Sequence, residues 1–351
     1  MKIAIFLPNW LGDLVMATPA LRAVRQQFPA AQIVGILRPH LAETLAGTAW
    51  LDEQWHFDPR QKDPRTSRWA LLRRLRGRRR AERFDLALLL TNSLHTAVLA
   101  WLGGARQRVG YARDARGPLL TAKVAPPPSG DETPMVDYYL GLAAAVGCPP
   151  QSPQLELHTT ETETRLAGET FARLGLRTDG RIVALNGGSA FGESKSWPVP
   201  SFGQLARRIA TQLDHDVLVL CGPSERSLAR AVVRAAQCER VFSLAGEPVG
   251  LGLSKGSLAR CRLLVSTDSG PRHVAAALGK PVITLFGPTP PVVTANPTVQ
   301  AIDLQIPMDC VPCRQRSCPL GHHRCMQELT VELVYTEVVN LLQHARCAAA
   351  A

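Results

Sequence analysis

The chain has no uninterrupted apolar run approaching the ~18 residues needed to cross a bilayer, so any membrane contact is expected to be peripheral. Its start, "MKIAIFLPNWLGDLVMATPA", has the apolar look of a secretory leader, but Pro8, Asn9 and Asp13 interrupt it before any plausible cleavage site. We read it as the first strand of a cytoplasmic protein. Nine cysteines, an odd number spread over 351 residues, do not make a disulfide framework and point to reduced thiols. No solenoid repeat is present. The first strand also lacks the glycine-rich turn that cradles a dinucleotide: residues 8–13, "PNWLGD", hold the single glycine Gly12 followed at once by Asp13. Without GxGxxG after the strand, a nicotinamide-dependent oxidoreductase is disfavoured.

Hydrophobic residues make up 46% of the chain, enough for a large core and too many for disorder. The formal charge of +11 is unevenly placed. Residues 60–83, "RQKDPRTSRWALLRRLRGRRRAER", carry eleven Lys/Arg against Asp63 and Glu82, so most of the excess sits there. Such a face attracts anions. Trp69, Leu71, Leu72 and Leu75 recur among the arginines at helical spacing, which predicts an amphipathic helix whose apolar side packs inward or lies in a membrane interface. No nucleic-acid module surrounds the run, and no nucleic-acid partner is expected.

Apolar runs at 3–7, 33–37 and 86–90 alternate with helical patterns, implying a parallel sheet. Thr18-Pro19 reads as an N-cap followed by proline in the first helical turn, with Asp13 in a short turn before it. The loop at 125–134 and the prolines of "GCPPQSPQ" (147–154) precede a second series, with strands at 181–186, 216–222, 263–268 and 281–287 and helices at 200–213 and 225–237. The fold class is α/β: two doubly wound Rossmann-like domains facing a cleft, residues 1–165 and 166–351, the latter ending in a helix. Ligands of such sheets bind at the carboxyl ends of the strands.

The segment "STDSGPRHVAAALGKPVITLFGPTPP" (266–291) carries the most chemistry. A strand ends at Asp268, Ser269 and Gly270 turn the chain, and Pro271 suits the first turn of a helix whose free N–H groups and positive dipole end point back at the turn. That is an anion site able to hold a diphosphate without a metal or a Walker lysine.

With these residues in view, "TDSGPRHVAAALGKPVITLFGPT" resembles the donor-binding motif of the ADP-heptose:lipopolysaccharide heptosyltransferases. The segments "LPNWLGDLVMATPALRAVRQQFP", "LLLTNSLHTAVLAWLGGARQRVGYARDARGPLLT" (88–121) and "NGGSAFGESKSWP" (186–198) are similar to further family segments in the expected order. The resemblance implies a glycosyltransferase B-type fold, inversion at the anomeric carbon, and no catalytic metal or cofactor. It implies transfer of L-glycero-D-manno-heptose from ADP-heptose to a heptosyl-Kdo-lipid A acceptor of the lipopolysaccharide inner core, the alternative being a related glycosyltransferase that uses another nucleotide sugar or another lipid-linked acceptor. Asp13 matches the family's general base, and Lys195 the lysine that contacts the donor phosphates. Ser189, Glu225, Asp268, Ser269, Gly270 and His273 are the remaining donor-site candidates: Asp268 for heptose hydroxyls, Ser269 and Gly270 for diphosphate, Glu225 for the ribose. A turn-adjacent histidine such as His273 either touches phosphate or only orients backbone. Gly12, Asn92, Ser93 and His95 are candidates for the acceptor side. An enzyme of this kind is expected to be cytoplasmic and peripherally held at the anionic inner membrane surface through residues 60–83.

Two segments stand apart. Residues 244–261, "LAGEPVGLGLSKGSLARC", depart from the family pattern by extra glycines and Lys255, on the side where the adenine wall is expected. The cluster "MDCVPCRQRSCPLGHHRCM" supplies Cys310, Cys313, Cys318 and Cys325. Cys310 and Cys313 have the spacing of half a zinc site, but the later spacings are not those of a zinc ribbon; a structural metal and plain thiols both remain open.

Overall fold

A computed structural model describes residues 1–59, 63–77, 83–128, 133–188, 191–296 and 300–350. The chain divides into two compact units, Met1–Leu157 and His158–Ala351. The boundary placed at 165/166 from the sequence falls inside a helix, Glu161–Leu174, because a capping box at its start makes the segment continuous. Thr160 Oγ1 accepts from the Glu163 backbone N–H and the Glu163 carboxylate accepts from the Thr160 N–H.

The first unit runs β1 (Lys2–Phe6), α1 (Leu11–Met16), α2 (Thr18–Gln27), β2 (Gln32–Leu37), β3 (Glu53–His56), α3 (Arg68–Arg76), β4 (Leu86–Leu89), α4 (Leu94–Leu102), β5 (Gln107–Tyr111), β6 (Ala122–Val124) and α5 (Met135–Ala144). Its strands pair in the order β3-β2-β1-β4-β5-β6, every pair parallel. β1 is central because both its faces are apolar and covered: Ile3, Ala4, Ile5 and Phe6 are buried. Parallel neighbours need crossovers, and α1–α2, α3 and α4 supply them. Thr18 does not cap α2. Asp13 already lies in α1, Ala17 takes the cap position without a side-chain bond, and Thr18 Oγ1 donates to the Val15 carbonyl at 2.7 Å.

Helix α3 settles the choice left open for the basic segment. Leu71, Leu72 and Leu75 are buried in a cluster with Phe6, Trp55, Phe84 and Leu99, so its leucine face belongs to the core. Trp69, by contrast, is 72% exposed. Residues 60–62 and 78–82 of the segment lie outside the described residues.

The second unit runs α6 (Glu161–Leu174), β7 (Ile182–Asn186), α7 (Val199–Gln212), β8 (Asp216–Val219), α8 (Arg226–Ala236), β9 (Val241–Ser243), α9 (Leu251–Arg260), β10 (Leu263–Thr267), α10 (Gly270–Ala277), β11 (Val282–Phe286), β12 (Ala301–Gln305), α11 (Arg324–Gln327) and α12 (Val331–Ala350). Its sheet order is β12-β11-β10-β7-β8-β9, again all parallel. Both sheets are therefore doubly wound. In the first unit the chain reverses its direction of winding between β1 and β4, and in the second between β7 and β10. The loops leaving those strands flank the crevice where α/β sheets take ligands.

Candidate active site

In the second unit the predicted donor residues gather at this switch point. Asn186 ends β7, and its side-chain amide donates to Ser266 Oγ at 3.2 Å, Ser269 Oγ at 2.9 Å and the Gly188 carbonyl at 3.3 Å. Thr267 Oγ1 donates to the same carbonyl at 3.0 Å. The loop after β7 is thereby tied to the turn after β10. Ser269 occupies the N-cap position of α10 with extended backbone, and Pro271 sits in the first turn, as the sequence predicts. The first N–H groups of α10 open from this turn, a ready acceptor for a diphosphate.

Asp268 is the centre of the charge arrangement. It is 5% exposed and accepts from Lys195 Nζ at 2.5 Å, Thr289 Oγ1 at 2.7 Å and Arg272 Nε at 3.1 Å. Burial alone would raise its pKa. The charges of Arg272 and Lys195 and the hydrogen bonds from Lys195 and Thr289 outweigh burial, holding the carboxyl well below its ordinary range. Lys195 and Arg272 thus both face this carboxylate, and the Asp303 carboxyl is close enough to act electrostatically on Arg272 and Asp268 as well. The Lys195 ammonium also sits 4.6 Å from the centroid of the Phe191 ring.

His273 faces inward. It is 3% exposed, and Nδ1 lies 3.0 Å from Asn296 Oδ1. Burial first, and the Arg272 charge second, push its pKa down to about 3. This is the geometry of a histidine that ties α10 to the loop after β11. Glu225 caps its own turn, accepting from the Gly222 N–H at 2.8 Å. It also packs against the β7 loop, since a Cβ on Gly188 would lie 2.0 Å from its Oε1. Ser189 lies outside the described residues.

Lys195 is held from behind by the cysteine-bearing segment. Ser194 Oγ donates to the Gln315 carbonyl at 2.6 Å, the Ser194 N–H to the Arg316 carbonyl at 3.1 Å, and His323 Nε2 lies 2.8 Å from the Ser194 carbonyl. Cys310, Cys313, Cys318 and Cys325 are free thiols. Cys318, half-buried, accepts from the His323 N–H at 3.4 Å; backbone N–H groups, His323 first, pull its pKa below the ordinary thiol value. Among the described residues no three metal-ligating side chains are arranged to hold a metal ion.

Lys255 and Gly256 of the 244–261 segment serve packing. Lys255 is 2% exposed and pairs with Glu163 at 3.1 Å, joining α9 to α6. A Cβ on Gly256 would lie 2.4 Å from the Glu163 carbonyl oxygen, so the close approach of these helices requires glycine there.

In the first unit the predicted acceptor residues cluster likewise at the carboxyl ends of β1 and β4. Gly12 and Asp13 lie in the first turn of α1, and Tyr139 of α5 donates to Asp13 Oδ1 at 3.2 Å. Ser93 and His95 line a small pocket with Asn9, Arg38 and Phe57. Burial, then the charges of Arg68 and Arg38, lowers the His95 pKa, favouring the neutral ring. Asn92 is engaged at both ends: its amide donates to the Tyr138 hydroxyl at 2.7 Å, and its carbonyl accepts from Arg116 at 2.8 Å.

Sequence reasoning missed Arg272, Thr289 and Asn186. Arg272 stands four residues after Asp268, one helical turn away, and that spacing was a usable signal. Thr289 arrives from the loop after a different strand, which no local pattern announces.

Two Rossmann-like units, the second bringing a lysine, two strand-end loops and a helix N-terminus together, have the architecture of the glycosyltransferase B-type fold. The chain belongs to glycosyltransferase family 9, the heptosyltransferases, whose sequence profile matches residues 68–324. It is 26% identical to lipooligosaccharide heptosyltransferase 2 of Campylobacter jejuni, over 98% of this chain and 99% of that one. It is 25% identical to lipopolysaccharide heptosyltransferase 2 of Escherichia coli, over 97% and 99%. The fold matches the structure of E. coli ADP-heptose lipopolysaccharide heptosyltransferase II with a TM-score of 0.80 at 24% identity, covering 99% of this chain and 100% of that one. A family 9 glycosyltransferase from Veillonella parvula superposes with a TM-score of 0.83 at 23% identity, covering 98% and 97%.

Proposed function

We propose that this glycosyltransferase transfers L-glycero-D-manno-heptose from ADP-heptose to the heptosyl-Kdo-lipid A inner core of lipopolysaccharide, with inversion and without a catalytic metal. The observation that carries the donor side is the buried group of Lys195, Asp268, Arg272 and Thr289 at the start of α10. Lys195 and the first N–H groups of α10 stabilise the charge that grows on ADP as it leaves. Asp13 takes the proton of the acceptor hydroxyl as that oxygen bonds the anomeric carbon. The bond from this carbon to the β-phosphate oxygen breaks, and its electron pair departs with ADP. Ser269 and Gly270 hold the diphosphate through backbone N–H groups, Asp268 the heptose hydroxyls and Glu225 the ribose. Ser93 and His95 line the acceptor pocket, and Asn92, held by Arg116 and Tyr138, lies next to them in the chain.

The enzyme works on a lipid-linked acceptor at the cytoplasmic face of the inner membrane. Among the described residues no helix is long and apolar enough to cross a membrane. Attachment is peripheral, through the exposed arginines and Trp69 of the 60–83 segment, because the leucines of α3 are committed to the core.

The experiment is product analysis by mass. Purified enzyme is offered a panel of nucleotide sugars and truncated lipopolysaccharides, and addition of one heptose to the heptosyl-Kdo-lipid A acceptor from ADP-heptose alone is the expected result. Transfer of another sugar, or to another acceptor only, overturns the reading.

A further inference from the structure

Helix α5 carries two adjacent tyrosines that point to different partners at the carboxyl edge of the first sheet. Tyr139 is 3% exposed, and its hydroxyl donates to Asp13 Oδ1 across 126 residues of sequence. Tyr138 is 6% exposed, and its hydroxyl accepts from Asn92. The helix that presents them is itself pinned. Tyr111 Oη donates to the Tyr138 backbone carbonyl at 2.8 Å, and Gly141 lets the Tyr111 hydroxyl approach so closely that a Cβ there would be 2.7 Å away. Arg116, fully buried, donates to the carbonyls of Tyr111 and Thr91 and to Asn92 Oδ1. A rigid path of hydrogen bonds thus runs from Arg116 through Asn92 and Tyr138 to the helix that holds Tyr139.

We propose that Tyr139 is a positioning residue for Asp13: its phenol fixes the carboxylate of the transfer step in one orientation, and the Arg116–Asn92–Tyr138 network fixes the phenol. This rests on the reading of Asp13 as general base. A buried phenol this close to a carboxylate stays protonated; burial, then the Asp13 charge, holds its pKa well above the ordinary value, with Tyr138 the other ionisable group acting on it. It is therefore a permanent donor. A hydrogen bond from this phenol to the Asp13 carboxylate costs it some basicity, in exchange for a fixed rotamer. Misplacing a base by a fraction of an ångström is expensive in rate, whereas donor binding does not depend on it.

The test is Tyr139→Phe in the full chain, which keeps the ring and removes the donor. The expected result is a kcat lower by about tenfold, the scale of one hydrogen bond to a charged group, with the KM for ADP-heptose unchanged. The acid limb of the kcat profile moves to higher pH, because Asp13 loses the bond that favours its ionised form. Tyr111→Phe serves as the control for a purely structural role: it removes one tie of the same helix but keeps the Tyr139 hydroxyl, so it lowers the unfolding midpoint and moves the acid limb less than Tyr139→Phe does. If Tyr139→Phe keeps both kcat and the acid limb, or if Tyr111→Phe moves the limb equally, the positioning role is wrong. Asp13→Asn separates this from the parent reading. Should that variant still transfer heptose, Asp13 is not the base; should it be inactive while Tyr139→Phe is indistinguishable from the parent, only the positioning role falls.

Discussion

Lys195 and Asp268, 73 residues apart, form a buried ion pair with 2.5 Å between Nζ and Oδ2, at 8% and 5% exposure. The lysine assigned to the donor phosphates is thus held ready by the acid assigned to the sugar, and Arg272 shares the same carboxylate. Lys195→Met removes one of the two cations while Asp268 keeps Arg272 and Thr289. We expect ADP affinity measured by calorimetry to fall at least tenfold, the effect of about 1.4 kcal/mol. Stability in urea should fall by about 1–3 kcal/mol, the cost of removing one partner of a buried charged hydrogen bond. Unchanged ADP affinity would remove Lys195 from the donor site.

We expect His273 to contribute to the acid sensitivity of the second unit. Its pKa is near 3 when folded, against 6.5 in the unfolded chain, so below the upper value the unfolded state takes up a proton that the folded state refuses. Stability therefore declines as pH falls through this window, with a limiting slope of about 1.4 kcal/mol per pH unit from this group. The depressed pKa of Asp268 acts lower down: its contribution is present above the unfolded value of 3.8 and is lost as pH falls through the folded one. Urea unfolding followed from about pH 7 to about pH 5 should show the decline, and His273→Gln should flatten it. An equal slope in the variant would assign the acid sensitivity elsewhere.

Gly256→Ala places a methyl against the Glu163 backbone at the α6–α9 contact. Backbone cannot yield as a flexible side chain does, so a loss of roughly 1–3 kcal/mol is expected. The KM for ADP-heptose should not change. A donor defect without a stability defect would return this segment to the nucleotide site.

Trp69 and Arg73 are exposed on α3, whereas Arg74 stacks on the Trp55 ring at 4.1 Å and Arg76 donates to the Leu102 carbonyl at 3.0 Å. Trp69→Ala combined with Arg73→Glu should weaken cosedimentation with anionic phosphatidylglycerol vesicles while shifting stability by less than about 0.5 kcal/mol per site. Binding to neutral vesicles is the control. Undiminished binding to anionic vesicles would place the membrane contact on another surface.

Much of the molecule is legible in order along the chain. The seven apolar runs read as strands all became strands, because a strand buried on both faces needs no partner to declare itself. The short or half-exposed strands β3, β5, β6, β9 and β12 carry too few apolar residues to stand out, and their place depends on the strand beside them. The leucines of α3 spoke equally for core and membrane, since amphipathic spacing is the same for both; only the presence of Phe6, Trp55 and Phe84 beneath them decided for the core.

The sequence by itself determined the class of fold, the family, and the residues at the strand ends, since each of these is written in local patterns a few residues long. Tertiary structure alone decided which residues share a charge. That Asp268 answers to Lys195 and Thr289 and that His273 turns inward to Asn296 follow from loops of separate strands meeting, and that Tyr139 reaches Asp13 follows from α5 packing back on α1; only the Asp268–Arg272 pair is local. Parallel sheets bring their carboxyl ends together whatever the separation in sequence, so the partners of a site are set by strand order.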